Sequence, residues 1–476
     1  MRFSSLALVL IAAAGVVGTT GCSSKKRSNT LAATAAVSSG STATTGSGTT
    51  GATTSGSTAT TTSSAPVGGS TGTLSNPGGG SSTTAGGNTS SGSSSSGSTG
   101  SGFFGGTGRF VDATAMLPDT TAADWGADAG DLDGDGRIDI AVAVNNGPPR
   151  ILFNEGLRFV ERAGAIARDS FAATDVRLVD VDKDGDFDLV FSVNFGPARV
   201  FLNSGRGVFT LGQLVNPNND AYTYNAAIGD ANGDGWPDLF FANAGQSTPS
   251  RGQNKLFLND GAGSYAEAPQ GSVPALANDS LDATFLDVNG DGHLDIFVAN
   301  FGSPHVLMVN DGTGRYMNQS DVWLPANMTR NGTAIGQGDM NRDGKIDLFV
   351  CNEGAPGQGT PPPGERNSLL IQGTGRFADQ TATGLPNDAD ATFAVRLIDV
   401  NGDGWLDAVV SNLRAVQRLY ISQQGVFTDA TANFPAANQT PYNSHGLTIG
   451  DFNGDGAPDV FYCRSGRKPW LFFNTR

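Results

Sequence analysis

Residues 131–139 read Asp-Leu-Asp-Gly-Asp-Gly-Arg-Ile-Asp, and the same layout returns six more times along the chain. Carboxylates stand at positions 1, 3, 5 and 9 of this stretch, a glycine stands at position 6, and a β-forming apolar run follows. The later copies begin at Asp180, Asp230, Asp287, Asp339, Asp399 and Asp451, so successive copies lie 49 to 60 residues apart. A period near fifty means one supersecondary unit used seven times over. The layout of each copy suits a hard cation with oxygen ligands. Alternate short acidic side chains point inward, the glycine permits the sharp turn, and a carbonyl at position 7 completes the shell.

The second copy shows what one unit contains. Strands are predicted over 175–179, 189–193, 199–202 and 208–210, with the acidic loop 180–188 after the first and turns over 194–197 and 203–207 after the second and third. Four short antiparallel strands in about fifty residues make one propeller blade. The other copies follow the same order, and no stretch carries a sustained 3.6-residue apolar period, so few helices are expected. The predicted fold is all-β, a seven-bladed β-propeller of four-stranded blades. The last copy stops after its third strand, near 470–474. Before the first loop lies 108–114, Gly-Arg-Phe-Val-Asp-Ala-Thr, which copies the fourth strands at 375–381 and 425–431. This N-terminal strand is predicted to complete the last blade and close the ring, which removes the exposed ends of an open array.

The ends of the chain read differently. Residues 1–21 have the form of a secretory signal, with Arg2 at the start and an apolar core over 6–17. That core is shorter than the ~20 residues a membrane span needs. The small residue Gly21 before Cys22 resembles a bacterial lipoprotein cleavage site, so Cys22 is expected to carry a lipid. Export, and anchoring to the outer membrane or cell surface, follow as expectations. Residues 23–102 are almost wholly Ser, Thr, Gly and Ala, a composition that cannot offset its own ordering entropy. They are predicted to be a disordered tether with a reach of roughly 50 Å. The folded part is expected over 103–476. Its two cysteines, Cys351 and Cys463, fall at one strand position of units that are not neighbours and are read as buried free thiols. The net charge is −16, and the acidic loops carry much of it. Divalent ions in seven loops would cancel most of that charge. The absence of a basic patch argues against a nucleic-acid partner.

Repeats of this form, each in a four-stranded unit with a following Asn-x-Gly type turn, resemble the FG-GAP-like (VCBS-type) repeats, which are related to the propeller of integrin α chains. The resemblance covers about residues 103–476, and a loop in every blade fits the bacterial branch. It implies Ca²⁺ in each loop, up to seven ions, on the lower face between the first and second strands. The implied ligands of the first loop are Asp131, Asp133, Asp135, the carbonyl of Arg137, and Asp139. In the second they are Asp180, Asp182, Asp184, Asp186 and Asp188. In the third they are Asp230, Asn232, Asp234, Trp236 and Asp238, and in the fourth Asp287, Asn289, Asp291, His293 and Asp295. The fifth offers Asp339, Asn341, Asp343, Lys345 and Asp347. The sixth offers Asp399, Asn401, Asp403, Trp405 and Asp407, and the seventh Asp451, Asn453, Asp455, Ala457 and Asp459. An EF-hand is excluded because position 12 of the first loop is Val142.

Residues that could carry activity are few. His293, His305 and His445 have no nucleophile or metal cluster beside them in sequence. Trp236 and Trp405 could stack on sugar, but packing against a neighbouring blade is the preferred reading. The loops 243–254 and 352–367 are long, and long loops on a compact scaffold often carry function. Asp124, Asp175, Asn225, Asp279, Asp282, Asn331, Asn443 and His445 are expected around the propeller mouth. An Asn recurs after the second strand, at 145, 194, 243, 300, 352 and 412, and is read as a turn former. The expected function is a calcium-stabilised binding or adhesion module, a monomer that takes a glycan or protein ligand on the upper face and meets the membrane through its anchor only. The alternatives are a polysaccharide-acting enzyme using Asp175, Asp279, Asp282 and His445, or a purely structural envelope protein.

Overall fold

The computed structural model describes residues 106–476, apart from 157, 220, 246–251, 277, 327 and 355–363. The expected signal, Cys22 and the tether lie outside the described residues. All described residues fall within one compact unit.

The architecture is all-β and antiparallel, with only two four-residue α-helices among the described residues, Ser320–Trp323 and Thr381–Gly384. Each acidic loop joins the first two strands of a four-stranded unit. In unit 1 the strands are Asp124–Gly130, Asp139–Gly147, Arg150–Asn154 and Phe159–Val160. In unit 2 they are Phe171–Val179, Asp188–Val193, Ala198–Asn203 and Phe209–Val215. Units 3 to 6 open with Tyr222–Gly229, Ser280–Leu286, Thr329–Gly338 and Ala391–Ile398 and repeat the pairing order. The first and fourth strands of unit 2 run longer than their sequence suggested. The upper ends of units 1 and 2, and of units 4 and 5, also pair with each other and merge two pairs of units into eight-stranded sheets. That pairing joins strands from separate repeats, which no local pattern announces.

The last unit contains Leu447–Gly450, Asp459–Tyr462 and Trp470–Asn474. Its fourth strand is Phe110–Asp112, which pairs antiparallel with Trp470–Asn474 in the register Phe110 to Asn474. The pairing expected of the N-terminal segment is therefore present. Side chains of units 1 and 7 share one apolar cluster, in which Ala127, Ile140 and Leu152 pack with Phe452, Phe461 and Leu471. Similar clusters fill the other seams, such as Leu178 and Phe191 with Leu132 and Phe153 between units 1 and 2. Central strands are buried on both faces, which is why they read as continuous apolar runs rather than alternating ones. Cys351 and Cys463 are buried free thiols.

Six inner strands carry a register shift at one place, between Asp124 and Gly126, Ala173 and Asp175, Thr223 and Asn225, Ser280 and Asp282, Gly332 and Ala334, and Thr392 and Ala394. The extra residue sits six positions before the loop Asp in each unit. A bulge re-aims side chains and raises twist, and here it turns the same residue of six units toward a common centre.

Candidate metal centres and central cavity

The seven loops share one internal geometry. The position-1 carboxylate accepts the backbone N–H groups of positions 5 and 6 in all seven, as in Asp131 with Asp135 at 3.1 Å and Gly136 at 2.9 Å. Gly136 holds φ at +84°, a conformation that favours glycine. The position-5 carboxylate accepts the position-7 N–H, from Arg137, Asp186, Trp236, His293, Lys345, Trp405 and Ala457 in turn.

The position-9 aspartates, Asp139, Asp188, Asp238, Asp295, Asp347, Asp407 and Asp459, do something the spacing did not reveal. Each is buried and accepts two backbone donors. One comes from position 2 of its own loop and one from the end of the third strand, as in Asp139 with Leu132 at 3.0 Å and Asn154 at 2.7 Å. The side chain is thus a staple between loop and sheet. Burial pushes the Asp139 carboxyl up to about 7 and that of Asp459 up to about 8, against the pull of these donors.

The residue that donates from the third strand has a second task. Its side-chain amide reaches the position-2 carbonyl of the preceding unit. Asn203 reaches Leu132 at 2.9 Å, Asn259 reaches Val181 at 2.8 Å, Asn310 reaches Ala231 at 2.8 Å, and Gln372 reaches Val288 at 2.7 Å. Asn474 reaches Val400 at 2.7 Å, and Asn154 of unit 1 reaches Phe452 of unit 7 at 2.9 Å. Unit 6 has Ser422 at this place, too short to span, and its buried Oγ has no hydrogen-bond partner.

The first two loops differ from the rest. There Asp131, Asp133 and Asp139, and likewise Asp180, Asp182 and Asp188, bring one carboxylate oxygen each within 4.8 Å of one another. In loops 3 to 7 the position-3 residue is Asn232, Asn289, Asn341, Asn401 or Asn453, and its amide donates to the position-5 Asp234, Asp291, Asp343, Asp403 or Asp455. Asp135 of loop 1 is ion-paired with Arg137, and Asp133 with Arg162. The donors gathered here are carboxylate and amide oxygens, a set that fits a hard divalent cation. Trp236 packs under Lys183 of the preceding loop at 4.5 Å and Trp405 under Arg342 at 4.2 Å. Packing against the neighbouring unit is therefore their arrangement.

At the other end of the inner strands, all seven units line one cavity of about 70 Å³. The six bulge residues Trp125, Thr174, Tyr224, Leu281, Thr333 and Phe393 surround it together with His445, which stands at the same offset before the seventh loop, and Arg177 and Arg396, three positions nearer the loops, also line it. Of the residues expected at the mouth, Asp175, Asn225, Asp282 and His445 line the cavity. The other four do not. Asp124 is buried against Arg150 at 2.8 Å, and Asp279 accepts from Gly245 at 3.0 Å. Asn331 donates to Glu365 at 3.0 Å, and Asn443 accepts from Arg414 at 3.1 Å. Their places were read from strand entries, where a shift of one residue changes the face. Arg177 and Arg396 were missed, although counting three residues back from each loop would have found them.

His445 stacks on Trp125 at 4.6 Å and meets Phe393 edge-on at 5.3 Å. Burial holds it down at about 4, so it is neutral at pH 7. His305 is buried too, with Nδ1 accepting from Asn300. His293 stays at its loop. The recurrent Asn acts as a turn clamp. Its amide reaches a carbonyl across the turn in Asn243 to Gln253, Asn300 to Pro304, Asn352 to Arg366 and Asn412 to Val416. The middles of the two long upper loops lie outside the described residues.

The sequence model of the FG-GAP-like repeat matches residues 131–191, 180–241, 230–298, 287–350 and 399–462, together more than half of the chain. The chain belongs to the FG-GAP-like repeat family. Each match runs from one acidic loop to the strand after the next, so all seven loops fall inside FG-GAP-like segments. Among characterised relatives, cartilage acidic protein 1 of Mus musculus is 26% identical over 259 residues, 49% of this chain and 38% of that protein. The Xenopus tropicalis protein is 26% identical over 195 residues, 37% of this chain and 28% of its own length. The matched part thus spans well under half of either relative. Among solved structures, an Agrocybe aegerita lectin specific for non-reducing terminal N-acetylglucosamine is 14% identical, with a TM-score of 0.47 over 76% of this chain and 94% of the other. Saccharomyces cerevisiae Sqt1 is 8% identical, with a TM-score of 0.42 over 78% and 99%.

Proposed function

We propose that the seven units form a closed seven-bladed propeller that binds Ca²⁺ in its acidic loops and acts as a binding or adhesion module at the cell surface. The ligand would be a glycan or a protein on the face opposite the loops, and the lipid on Cys22 would be the membrane contact. The observation that carries the reading is the division of each inner strand. One end is committed to an oxygen-rich loop, and the other, six residues or about 20 Å away, converges with six equivalents on a single cavity. Two facts support closure: the hydrogen bond from Asn154 to Phe452, and the pairing of Phe110–Asp112 with the last strand.

Calcium fits the donor set, and its role would be structural. The carboxylates of a loop repel one another, and the ion offsets that repulsion while tying two strands together. Among the described residues of the cavity, the hydroxyls of Thr174 and Thr333 are bonded to backbone carbonyls rather than to a base, which supports binding over catalysis. The test is a glycan-array and protein-ligand screen of the full chain in millimolar calcium, repeated with chelator. Saturable, calcium-dependent capture of a defined ligand is the expected result. Absence of any ligand in calcium, with the metal content measured and present, would leave a structural role only. Replacing Cys22 with Ser should release the protein from membranes, and continued retention would remove the anchor from the account.

A further inference from the structure

Two arginines occupy the same position in different units, three residues before the loop Asp. In unit 2 this is Arg177. Its Nε lies 2.8 Å from Asp175 Oδ2, and its NH2 donates to Asn225 Oδ1 at 2.9 Å. In unit 6 it is Arg396. The residue two before it, where unit 2 has Asp175, is Ala394. The hydrogen bond from Arg396 NH1 goes to the main-chain carbonyl of Val395 at 3.0 Å, and its Nε has no partner.

The other carboxylates in and next to the cavity, Asp282 in its lining and Asp128 behind it, are already engaged. Asp282 accepts from Ala283 at 2.9 Å, from Ile335 at 2.8 Å, and from the Asn225 amide. Asp128 accepts from Ala129 at 3.0 Å and from Leu178 at 2.9 Å, which latches unit 2 to unit 1. The electrostatic outcome differs accordingly. Against burial, Asp175, Asp282 and Asp128 hold Arg177 above its ordinary value, whereas at Arg396 burial and the nearby Arg177 outweigh the pull of the same three carboxylates and leave it below. Arg396 is half-buried, with a buried Nε that meets no acceptor and no carboxylate hydrogen-bonded to it, and a bidentate anion is the natural complement of such a guanidinium.

We propose that Arg396 is the anchor of a carboxylate subsite in the central cavity, and that the carboxylate belongs to a uronate residue of an acidic polysaccharide. This rests on the reading of the cavity face as the ligand face. The volume suits a carboxylate group rather than a whole sugar chain. The rings of Phe393, His445 and Trp125, none of them fully buried, line the same cavity, and an aromatic lining favours a carboxylate carried on a sugar over an acidic side chain of a protein. Cations in the acidic loops lower the repulsion that a net charge of −16 would otherwise exert on a polyanion.

The test titrates the full chain in millimolar calcium with glucuronate, glucose and a peptide ending in glutamate, and follows tryptophan fluorescence, with Trp125→Phe to assign the signal. Glucuronate should bind saturably and at least tenfold more tightly than glucose or the peptide. Arg396→Gln should lose that preference. Ala394→Asp keeps the arginine but supplies the internal carboxylate that unit 2 has, and it should weaken glucuronate at least tenfold without lowering the melting temperature. Equal binding of glucuronate and glucose, equal binding of the peptide, or an Ala394→Asp protein that binds like wild type would each overturn the proposal. Capture of neutral glycans alone on the array would remove this subsite while leaving the binding-module reading intact.

Discussion

At the loop end of the inner strands, seven aspartates from Asp139 to Asp459 accept the same two backbone donors, whereas at the cavity end the equivalent positions hold Trp125, Thr174, Tyr224, Leu281, Thr333, Phe393 and His445. The backbone poses an identical problem in every unit at the loop, because two buried N–H groups need an acceptor. One answer therefore serves seven times. At the cavity the seven positions hold six residue types, and only the two threonines repeat an arrangement, each donating toward a carbonyl of its own second strand and one of the next unit. Sameness marks the end that holds the fold together, and variety marks the end where we propose recognition.

The comparison can be broken most forcefully by removing calcium. In the proposed calcium-loaded state, with dissociation constants of about 10⁻⁴ to 10⁻³ M and about 1 mM free ion, each site would add about 0.4–1.4 kcal/mol, or about 3–10 kcal/mol over seven. Chelation should therefore lower the thermal midpoint by many degrees. An unchanged midpoint would show that the loops hold the fold without an ion.

A position-nine substitution is the next largest. Asp407→Ala leaves Val400 N–H and Ser422 N–H without an acceptor, at a cost of about 2–6 kcal/mol. At the cavity end, Thr174→Ala loses the 2.8 Å bond to Thr223, worth only about 0.5–1.5 kcal/mol. Urea unfolding of the two variants should separate by that margin, and equal costs would erase the distinction between the ends.

The third test uses pH. His445 is held at about 4 in the fold and titrates near 6.5 when unfolded. Its contribution is intact above about 6.5 and is lost as pH falls toward 4, because the unfolded chain takes up the proton first. At pH 5 the loss is about 2 kcal/mol. His445→Phe should therefore gain about that much on wild type between pH 7.5 and pH 5 in denaturant melts. A pH-independent difference would mean that the imidazole is solvated and the cavity wall loose.

The smallest effect sharpens the seam. Six of seven units tie their third strand to the preceding loop through an amide, and Ser422 is the gap. Ser422→Asn should reach the carbonyl of Met340 and stabilise by about 0.5–1.5 kcal/mol. A neutral or destabilising result would show that this seam is packed differently.

Much of the loop end was legible because its information is local. Nine residues contain the acidic positions, the glycine and the start of the next strand, and strand order follows from turns a few residues long. The copied segment 108–114 also announced its pairing with the last strand, since its side chains match those of other fourth strands. Legibility ended where partners come from different units. Asp124 reads as a mouth residue but pairs with Arg150, and Asp139 reads as a ligand but also staples loop to strand.

The sequence alone determined seven units, their strand order and an oxygen-rich loop in each, because those features are set by side chains within a few residues of one another. Only the tertiary structure decided which charges are answered and which are not. Asn154 meets Phe452 across 298 residues, and Arg177 finds Asn225 across 48, while Arg396 has Ala394 where a carboxylate would have to be. Hydrogen bonding and desolvation depend on distance in space, and the spacing of residues along the chain does not contain that distance until the sheets have packed.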